Sequence, residues 1–180
     1  NQPKWRKSVY FYTKNIALSD DMGKYDFLFK LLYKVALNNP DFGLNLFQDN
    51  KVKGLYSKLA LFSGIWKSKK RDIAVQLISE WIKSKDSLDI ASSFFFNVKS
   101  FANEEDISFD IDLLNKIYKA IIESGDLKLL NNVIASLILC SDLKDKDNRV
   151  LLFKSIQALT NIGNTNWIRY WHKLGDAFID

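Results

Sequence analysis

The segment Ile122-Glu123-Ser124-Gly125-Asp126, followed by Leu130, decides the fold, because the same arrangement occurs at two other places in the chain. The copies, 40 positions earlier and 38 positions later, are Ile82-Lys83-Ser84-Lys85-Asp86 with Ile90 and Thr160-Asn161-Ile162-Gly163-Asn164 with Ile168. Each reads as the apolar end of one helix, a tight turn and a second apolar helix. A period of about 40 residues is typical of stacked helical hairpins, because one hairpin cannot bury its apolar face alone.

Helical periodicity extends over nearly the whole sequence. Apolar residues recur three and four positions apart in almost every segment, and the only prolines are Pro3 and Pro40. Alternation of the kind that marks strands is rare. The pattern therefore predicts an all-α fold.

Four helices are predicted before residue 70. The first helix contains Trp5, Val9, Tyr12 and Ile16 and ends near Leu18. The third helix is short and covers at most Asp41 to Phe47. The fourth runs from Lys51 to Trp66, with Leu55, Leu59, Phe62 and Trp66 one turn apart and with Gly54 and Gly64 weakening its ends. The second begins near Tyr25, stops at Asn38-Asn39-Pro40, and has the predicted buried stripe Phe27, Leu28, Leu31, Leu32, Val35 and Ala36.

The remaining helices follow the repeated turns. Asp72 is the predicted N-cap of a helix whose apolar stripe is Ile73, Leu77, Ile78 and Trp81. A turn at 84–87 leads into a helix from Leu88 to Phe101, in which Phe94, Phe95 and Phe96 cannot all face inward, since successive residues turn by about 100°. Two further hairpins are predicted at 110–140 and 148–178, with Gly125 and Gly163 as left-handed helix ends.

The segment Gln157-Ala158-Leu159-Thr160-Asn161-Ile162-Gly163-Asn164 resembles the consensus of HEAT-type repeats, which often read Ala-Leu-x-x-Ile-Gly-Asp before their second helix. The resemblance is strongest over residues 110–178 and extends to armadillo repeats. It implies a right-handed α-α superhelix of about four helical hairpins. The alternative is a compact helical bundle. Such repeats generally form curved platforms that bind other proteins and, less often, nucleic acid.

Composition sets the class of protein. With 180 residues, 47% apolar and 14% aromatic, we expect one folded helical-repeat domain over 1–180. The sequence begins at Asn1 and its single methionine is Met22, so we expect it to be part of a longer protein. The absence of an apolar run of 18 or more residues argues against a membrane partner. A single cysteine, Cys140, predicts a reducing, cytoplasmic location.

Catalytic, metal and cofactor motifs are missing from the sequence. His172 is the only histidine, and no glycine pattern matches a phosphate-binding loop or a nucleophile elbow. The carboxylates of 104–112 (Glu104, Glu105, Asp106, Asp110 and Asp112) read as helix-capping groups, and an acid–base pair or hard-metal site is the alternative. We therefore expect no enzyme, no cofactor and no bound metal.

Positive charge is concentrated in the first part of the chain. Between Lys51 and Arg71 seven cations occur without one acidic residue. Such a segment attracts phosphates or an acidic protein surface, and an aromatic side chain beside it, Tyr56 or Trp66, could stack on a base. A solvated link with Trp66 in the core is the structural alternative. The candidate partner-binding residues are Lys51, Lys53, Lys58, Trp66, Lys67, Lys69, Lys70 and Arg71.

Three hypotheses follow, and the last of them, an enzyme that uses the carboxylates of 104–112, requires these groups to line a pocket instead of capping a helix. The first is a non-enzymatic scaffold or regulatory module that binds another protein, with an acidic partner surface as one form of it. The second is RNA or DNA binding through residues 51–71 together with Lys4, Arg6 and Lys7, which predicts that these cations share a face with Tyr56 or Trp66.

Overall fold

The computed structural model describes residues 2–16, 22–101, 111–140 and 146–165, together with Ile168 and Gly175. In these residues it contains nine α-helices and no strand, which confirms the all-α prediction. The helices are α1 (Gln2–Ile16), α2 (Met22–Asn38), α3 (Pro40–Gln48), α4 (Leu55–Lys67), α5 (Arg71–Ser84), α6 (Leu88–Phe101), α7 (Ile111–Ser124), α8 (Leu127–Cys140) and α9 (Lys146–Asn161). None of these helices is both long and apolar enough to cross a membrane.

The chain divides into two compact units, residues 1–79 and residues 80–180, and α5 runs across the division. In the first unit α2 packs along α4 and also contacts α1 and α3, and α3 packs on α4. In the second unit α8 packs between α6 and α9, while α7 contacts α6, α8 and α9.

Burial of apolar side chains on the inner helix faces stabilises both units, by about 1.5–3 kcal/mol for each large side chain. The fully buried residues of the first unit include Leu28, Leu32, Ala36, Leu46, Leu61, Phe62 and Ile65. Those of the second unit include Ala91, Phe94, Ile117, Ile121, Leu130, Val133, Leu137, Leu152 and Leu159.

The junction between α2 and α3 forms as the sequence predicts. Pro40 occupies the first turn of α3, and Asn39 is its N-cap, whose side-chain oxygen accepts a hydrogen bond from the Phe42 amide at 3.2 Å. Proline suits this position because the first turn of a helix has no internal partner for its N–H.

Two glycines in the first unit permit close helix packing. A Cβ atom at Gly43 of α3 would lie 2.6 Å from the Ala36 Cβ of α2. A Cβ atom at Gly64 of α4 would lie 2.4 Å from the Tyr33 carbonyl oxygen and 2.7 Å from the same Ala36 Cβ. Gly64 is therefore a packing residue, and the prediction that it only weakens the helix end was incomplete.

The repeated turns share one residue with a positive φ, and the first turn has a second such residue, Ser87, with φ 54°. Lys85, Gly125 and Gly163 occupy equivalent positions of the three copies and have φ of 59°, 66° and 75°. At Gly163 the Asn164 amide donates to the Leu159 carbonyl at 2.9 Å and the Gly163 amide donates to the Thr160 carbonyl at 2.9 Å, the bond pattern of a Schellman cap. The predicted left-handed helix ends at Gly125 and Gly163 are confirmed.

Several details of the prediction were wrong. Phe27 is 58% exposed instead of belonging to the buried stripe of α2, and Leu55 is 37% exposed because α4 begins at this residue. Asp72 lies inside the first turn of α5, which begins at Arg71, so it is not the N-cap. Phe94 is 1% exposed, whereas the side chains of Phe95 and Phe96 lie outside the described residues.

Candidate functional site

The net positive charge of the chain lies in the first unit. Residues 1–79 contain 14 Lys and Arg against 6 Asp and Glu, a net charge of +8. Residues 80–180 contain 12 against 15, a net charge of −3. The first unit is therefore where an anionic partner would be attracted.

Two lysines of the predicted basic site hold the ends of α3. The Lys58 ammonium donates hydrogen bonds to the Phe47 carbonyl and, at 3.2 Å, to the Asp49 carbonyl, and it lies 5.2 Å from the centroid of the Phe47 ring. At the other end Lys70 forms a 2.7 Å ion pair with Asp41 in the first turn of α3. The positive charge of Lys58 at the carboxyl end of α3 and the negative charge of Asp41 at its amino end complement the helix dipole, and Lys70 pairs with Asp41.

Lys58 is partly withdrawn from solvent by these contacts. Its burial lowers the pKa of the ammonium below the ordinary value of 10.5, and the nearby Asp49 charge opposes this shift. An ammonium that caps carbonyl groups of its own fold has less capacity to bind an external phosphate. Lys58 therefore has a structural role.

Trp66 and Arg71 form a second internal contact. The Trp66 side chain is only 4% exposed, and the Arg71 guanidinium lies 4.4 Å from the centroid of its ring. A base has almost no open surface of this indole on which to stack. Trp66 therefore belongs to the core, as predicted by the interpretation of the basic segment as a solvated link.

The link between α4 and α5 is a tight turn. The Ser68 hydroxyl donates to the Ile65 carbonyl at 2.7 Å and accepts from the Lys70 amide at 3.1 Å. Lys67 and Lys69 have exposed side chains beside this turn. Residues 55–70 of the basic segment thus form a helix and a tight turn and not an extended loop.

Lys51 and Lys53 lie in the connection between α3 and α4, and both are exposed. The Lys51 ammonium lies 5.6 Å from the centroid of the Tyr10 ring on α1. The structure thus brings one cation of the basic segment to the first helix. The side chains of Lys53, Lys67 and Lys69 are also exposed.

A hydrogen-bonded pair connects α1 to the same connection. The Tyr10 hydroxyl donates to Asp49 Oδ2, and the Lys51 amide donates to Asp49 Oδ1 at 2.9 Å. These bonds, with smaller contributions from the charges of Lys51 and Arg6, lower the pKa of Asp49 below 3.8. The bond to Asp49, followed by burial, raises the pKa of Tyr10 above 10.0.

Tyr56 is part of an aromatic cluster with α2. Its ring meets Tyr25 edge-on with centroids 5.5 Å apart and Phe29 at 5.1 Å. Burial, followed by the charge of Asp26, raises the pKa of the Tyr56 hydroxyl above 10.0. The ring remains 38% exposed, but two neighbouring rings already cover part of it.

Two exposed phenylalanines were missed at the sequence level. Phe11 of α1 is 64% exposed and Phe27 of α2 is 58% exposed, the highest values among large apolar side chains of the described residues. A helical projection of α1 places Phe11 opposite Val9 and Thr13, both of which are buried. That projection, together with the lack of acidic residues in α1, could have indicated an exposed aromatic side chain on a positively charged helix face.

The carboxylate and histidine hypotheses are not addressed by the described residues. Asp112 is exposed in the first turn of α7, whereas Glu104, Glu105, Asp106, Asp110 and His172 lie outside the described part of the chain. Within that part, no group of three or more His, Cys, Asp or Glu could hold a metal ion.

Comparisons with known protein families, with curated protein sequences and with solved structures give no match to this chain.

Proposed function

We propose that the chain is a non-enzymatic scaffold or regulatory module whose second unit is a stack of helical hairpins, right-handed as in the HEAT and armadillo repeats it resembles. The observation that carries this proposal is the common left-handed turn at Lys85, Gly125 and Gly163. The packing of α6 on α8 and of α7 on α9 supports it, because stacked hairpins bring each helix against the helix two positions along the chain.

A protein partner fits the outer face of α9. Val150 and Phe153 are 40% and 55% exposed, and they lie one turn apart on the side of α9 opposite the buried Leu152, Ser155 and Leu159. Exposed apolar side chains that share a helix face are typical of protein-binding surfaces. A single cysteine in the sequence is consistent with the cytoplasmic location that we propose with this function.

Affinity purification from the cell of origin tests this function, with the wild-type chain and a Val150→Ser/Phe153→Ser variant compared after nuclease treatment. We expect a protein that is retained by the wild type in the presence of nuclease and retained at least tenfold less by the variant. Equal retention by both chains, or complete loss on nuclease treatment, would contradict a protein partner at α9.

A second candidate function is RNA or DNA binding by the first unit. The net charge of +8 over residues 1–79 favours it, because an excess of cations binds nucleic acid through release of counterions. Lys51, Lys53, Lys67 and Lys69 of the basic segment have exposed side chains that suit this role. Lys58, Trp66, Lys70 and Arg71 have the internal contacts described above.

Fluorescence anisotropy with labelled single- and double-stranded RNA and DNA tests the second candidate. We expect binding at about 0.1 M salt. The logarithm of the binding constant should fall linearly with the logarithm of the salt concentration. The absence of binding to every nucleic acid at this salt concentration would remove the candidate.

A further inference from the structure

The first two helices present the same arrangement of side chains to solvent. On each, one phenylalanine is more than half exposed and lies among three exposed lysines. These helices pack against each other in the first unit. The sets are Phe11 with Lys4, Lys7 and Lys14 on α1, and Phe27 with Lys24, Lys30 and Lys34 on α2.

On α1 the lysines surround the ring because of their spacing. Lys4, Lys7 and Lys14 lie seven and four positions before Phe11 and three positions after it, and each of these intervals returns to the same helix face. Phe11 meets Tyr12 edge-on, with ring centroids 5.7 Å apart.

On α2 one lysine precedes the phenylalanine and two follow it, whereas on α1 two precede it and one follows. Lys24 lies three positions before Phe27, and Lys30 and Lys34 lie three and seven positions after it. The opposite side of α2 carries its buried residues Leu28, Leu32 and Ala36. Phe27 is thus directed to solvent by the same helical geometry that directs Phe11.

Negative charge is scarce on these helices. α1 contains no acidic residue, and α2 contains only Asp26, which forms a 2.7 Å ion pair with Lys30. Asp49, which lies beside α1, accepts hydrogen bonds from Tyr10 and Lys51. The partner that complements both faces is therefore an anion with flat apolar groups.

We propose that the outward faces of α1 and α2 bind single-stranded nucleic acid, with bases stacked on Phe11 and Phe27 and phosphates held by the surrounding lysines. This assignment rests on the second candidate function and moves its site from residues 51–71 to the first two helices. Unpaired bases stack on exposed aromatic side chains without regard to sequence, and lysines follow the phosphate backbone. In a duplex the base faces are covered, so double strands bind more weakly.

The same faces suit a membrane or an acidic protein less well. A helix that lies in a membrane surface needs a broad apolar face, whereas each of these helices offers one exposed phenylalanine among cations. An acidic peptide would pair with the lysines, but it would need aromatic side chains at two matching positions to contact both rings, whereas every nucleotide carries a flat base beside its phosphate. Exposed aromatic rings among cations are the pattern of a base-stacking surface.

The test compares three variants of the full chain by anisotropy with a labelled single-stranded RNA and a single-stranded DNA. Phe11→Ala/Phe27→Ala removes the rings, and Lys7→Glu/Lys34→Glu reverses two charges of the proposed site. Lys53→Glu/Lys69→Glu makes the same change in net charge at exposed positions of the same unit outside α1 and α2. Circular dichroism checks that each variant keeps its helices.

We expect the phenylalanine variant to bind at least tenfold more weakly with an unchanged salt slope, because it loses base stacking and keeps every lysine. The Lys7→Glu/Lys34→Glu variant should weaken binding more than the charge-matched control and reduce the slope by about 0.7 for each lost phosphate contact. Poly-glutamate and phosphatidylserine vesicles should bind more weakly than single strands.

Two outcomes separate this site from the function on which it rests. If the wild type binds single strands but the phenylalanine variant binds equally well, the site assignment is wrong and the second candidate function stands. If the wild type binds no nucleic acid, both are wrong. Tighter, Phe11-dependent binding to poly-glutamate or to vesicles would overturn the choice of nucleic acid as the partner.

Discussion

Gly64 lies so close to Tyr33 that a Cβ atom on the glycine would sit 2.4 Å from the tyrosine carbonyl oxygen. This contact brings the backbones of α4 and α2 together at the centre of the first unit. It explains why a glycine occupies the interior of a buried helix, where it costs about 1 kcal/mol relative to alanine in intrinsic propensity.

We predict that Gly64→Ala lowers the free energy of unfolding of the first unit by about 1–3 kcal/mol, because overpacking against backbone outweighs the gain in helix propensity. Urea unfolding monitored by circular dichroism measures the change. Val75→Ala, at a side chain that is 36% exposed, is the control and should change stability little. An increase in stability for Gly64→Ala would show that α2 and α4 are further apart.

The equivalent turn residues Lys85 and Gly125 predict opposite effects of substitution. Gly125→Ala should destabilise the second unit by about 1 kcal/mol, because its φ of 66° is unfavourable for alanine although no atom lies within 4 Å of the added Cβ. Lys85→Gly should stabilise by up to about 1 kcal/mol by relieving the same strain at φ 59°. Urea unfolding measures the change in the free energy of unfolding for each variant. Changes of the same sign would contradict equivalent turn positions at Lys85 and Gly125.

The two lysines at the ends of α3 should differ in importance. Lys58→Met removes hydrogen bonds from a charged donor to two carbonyl groups, and we predict a loss of about 1–2 kcal/mol. Lys70→Met removes an exposed ion pair and should cost at most about 0.5 kcal/mol. Thermal and urea unfolding compare the two, and a larger loss at Lys70 would refute the capping role of Lys58.

The bond between Tyr10 and Asp49 predicts a dependence on pH. Because the folded pKa of Asp49 is below 3.8, its ionised form contributes stability above that pH, and this contribution is lost as pH falls through the folded pKa. Tyr10→Phe removes the largest cause of the shift, so the Asp49 pKa should rise toward 3.8.

Nuclear magnetic resonance titration of the Asp49 carboxyl carbon measures that change directly. In unfolding experiments the stability difference between wild type and Tyr10→Phe should be larger at neutral pH than at a pH below the lowered folded pKa of Asp49, where the carboxyl group is protonated. An Asp49 pKa that is the same in both proteins would show that the hydrogen bond is absent in solution.

The parts of the fold that depend on neighbouring residues could be predicted from the sequence. The turns at Gly125 and Gly163 are made by hydrogen bonds within a few residues, and Pro40 ends α2 through its own ring and missing N–H. These features do not need another element of the fold to be in place.

Features that depend on distant parts of the chain could not be predicted in this way. Gly64 could be recognised as a packing residue only once α2 was known to lie against it. Likewise, the position of α3 determines that Lys58 and Lys70 are used inside the fold, although the sequence showed them only as two of many cations. Phe27 is adjacent to the buried Leu28 in the sequence. Successive residues of a helix differ by about 100° around its axis, so the prediction assigned Phe27 to the buried face although it lies on the exposed one.

The cap at Gly163 depends only on residues close to it in the sequence. Its two hydrogen bonds begin and end between Leu159 and Asn164, so its geometry is specified without help from the rest of the unit. A chimera in which the segment 160–164 replaces 122–126 should therefore still end α7 with a left-handed glycine. A helix end that is specified by its own few residues can be exchanged between engineered helical proteins, and the segment 159–164 of this chain is such an end.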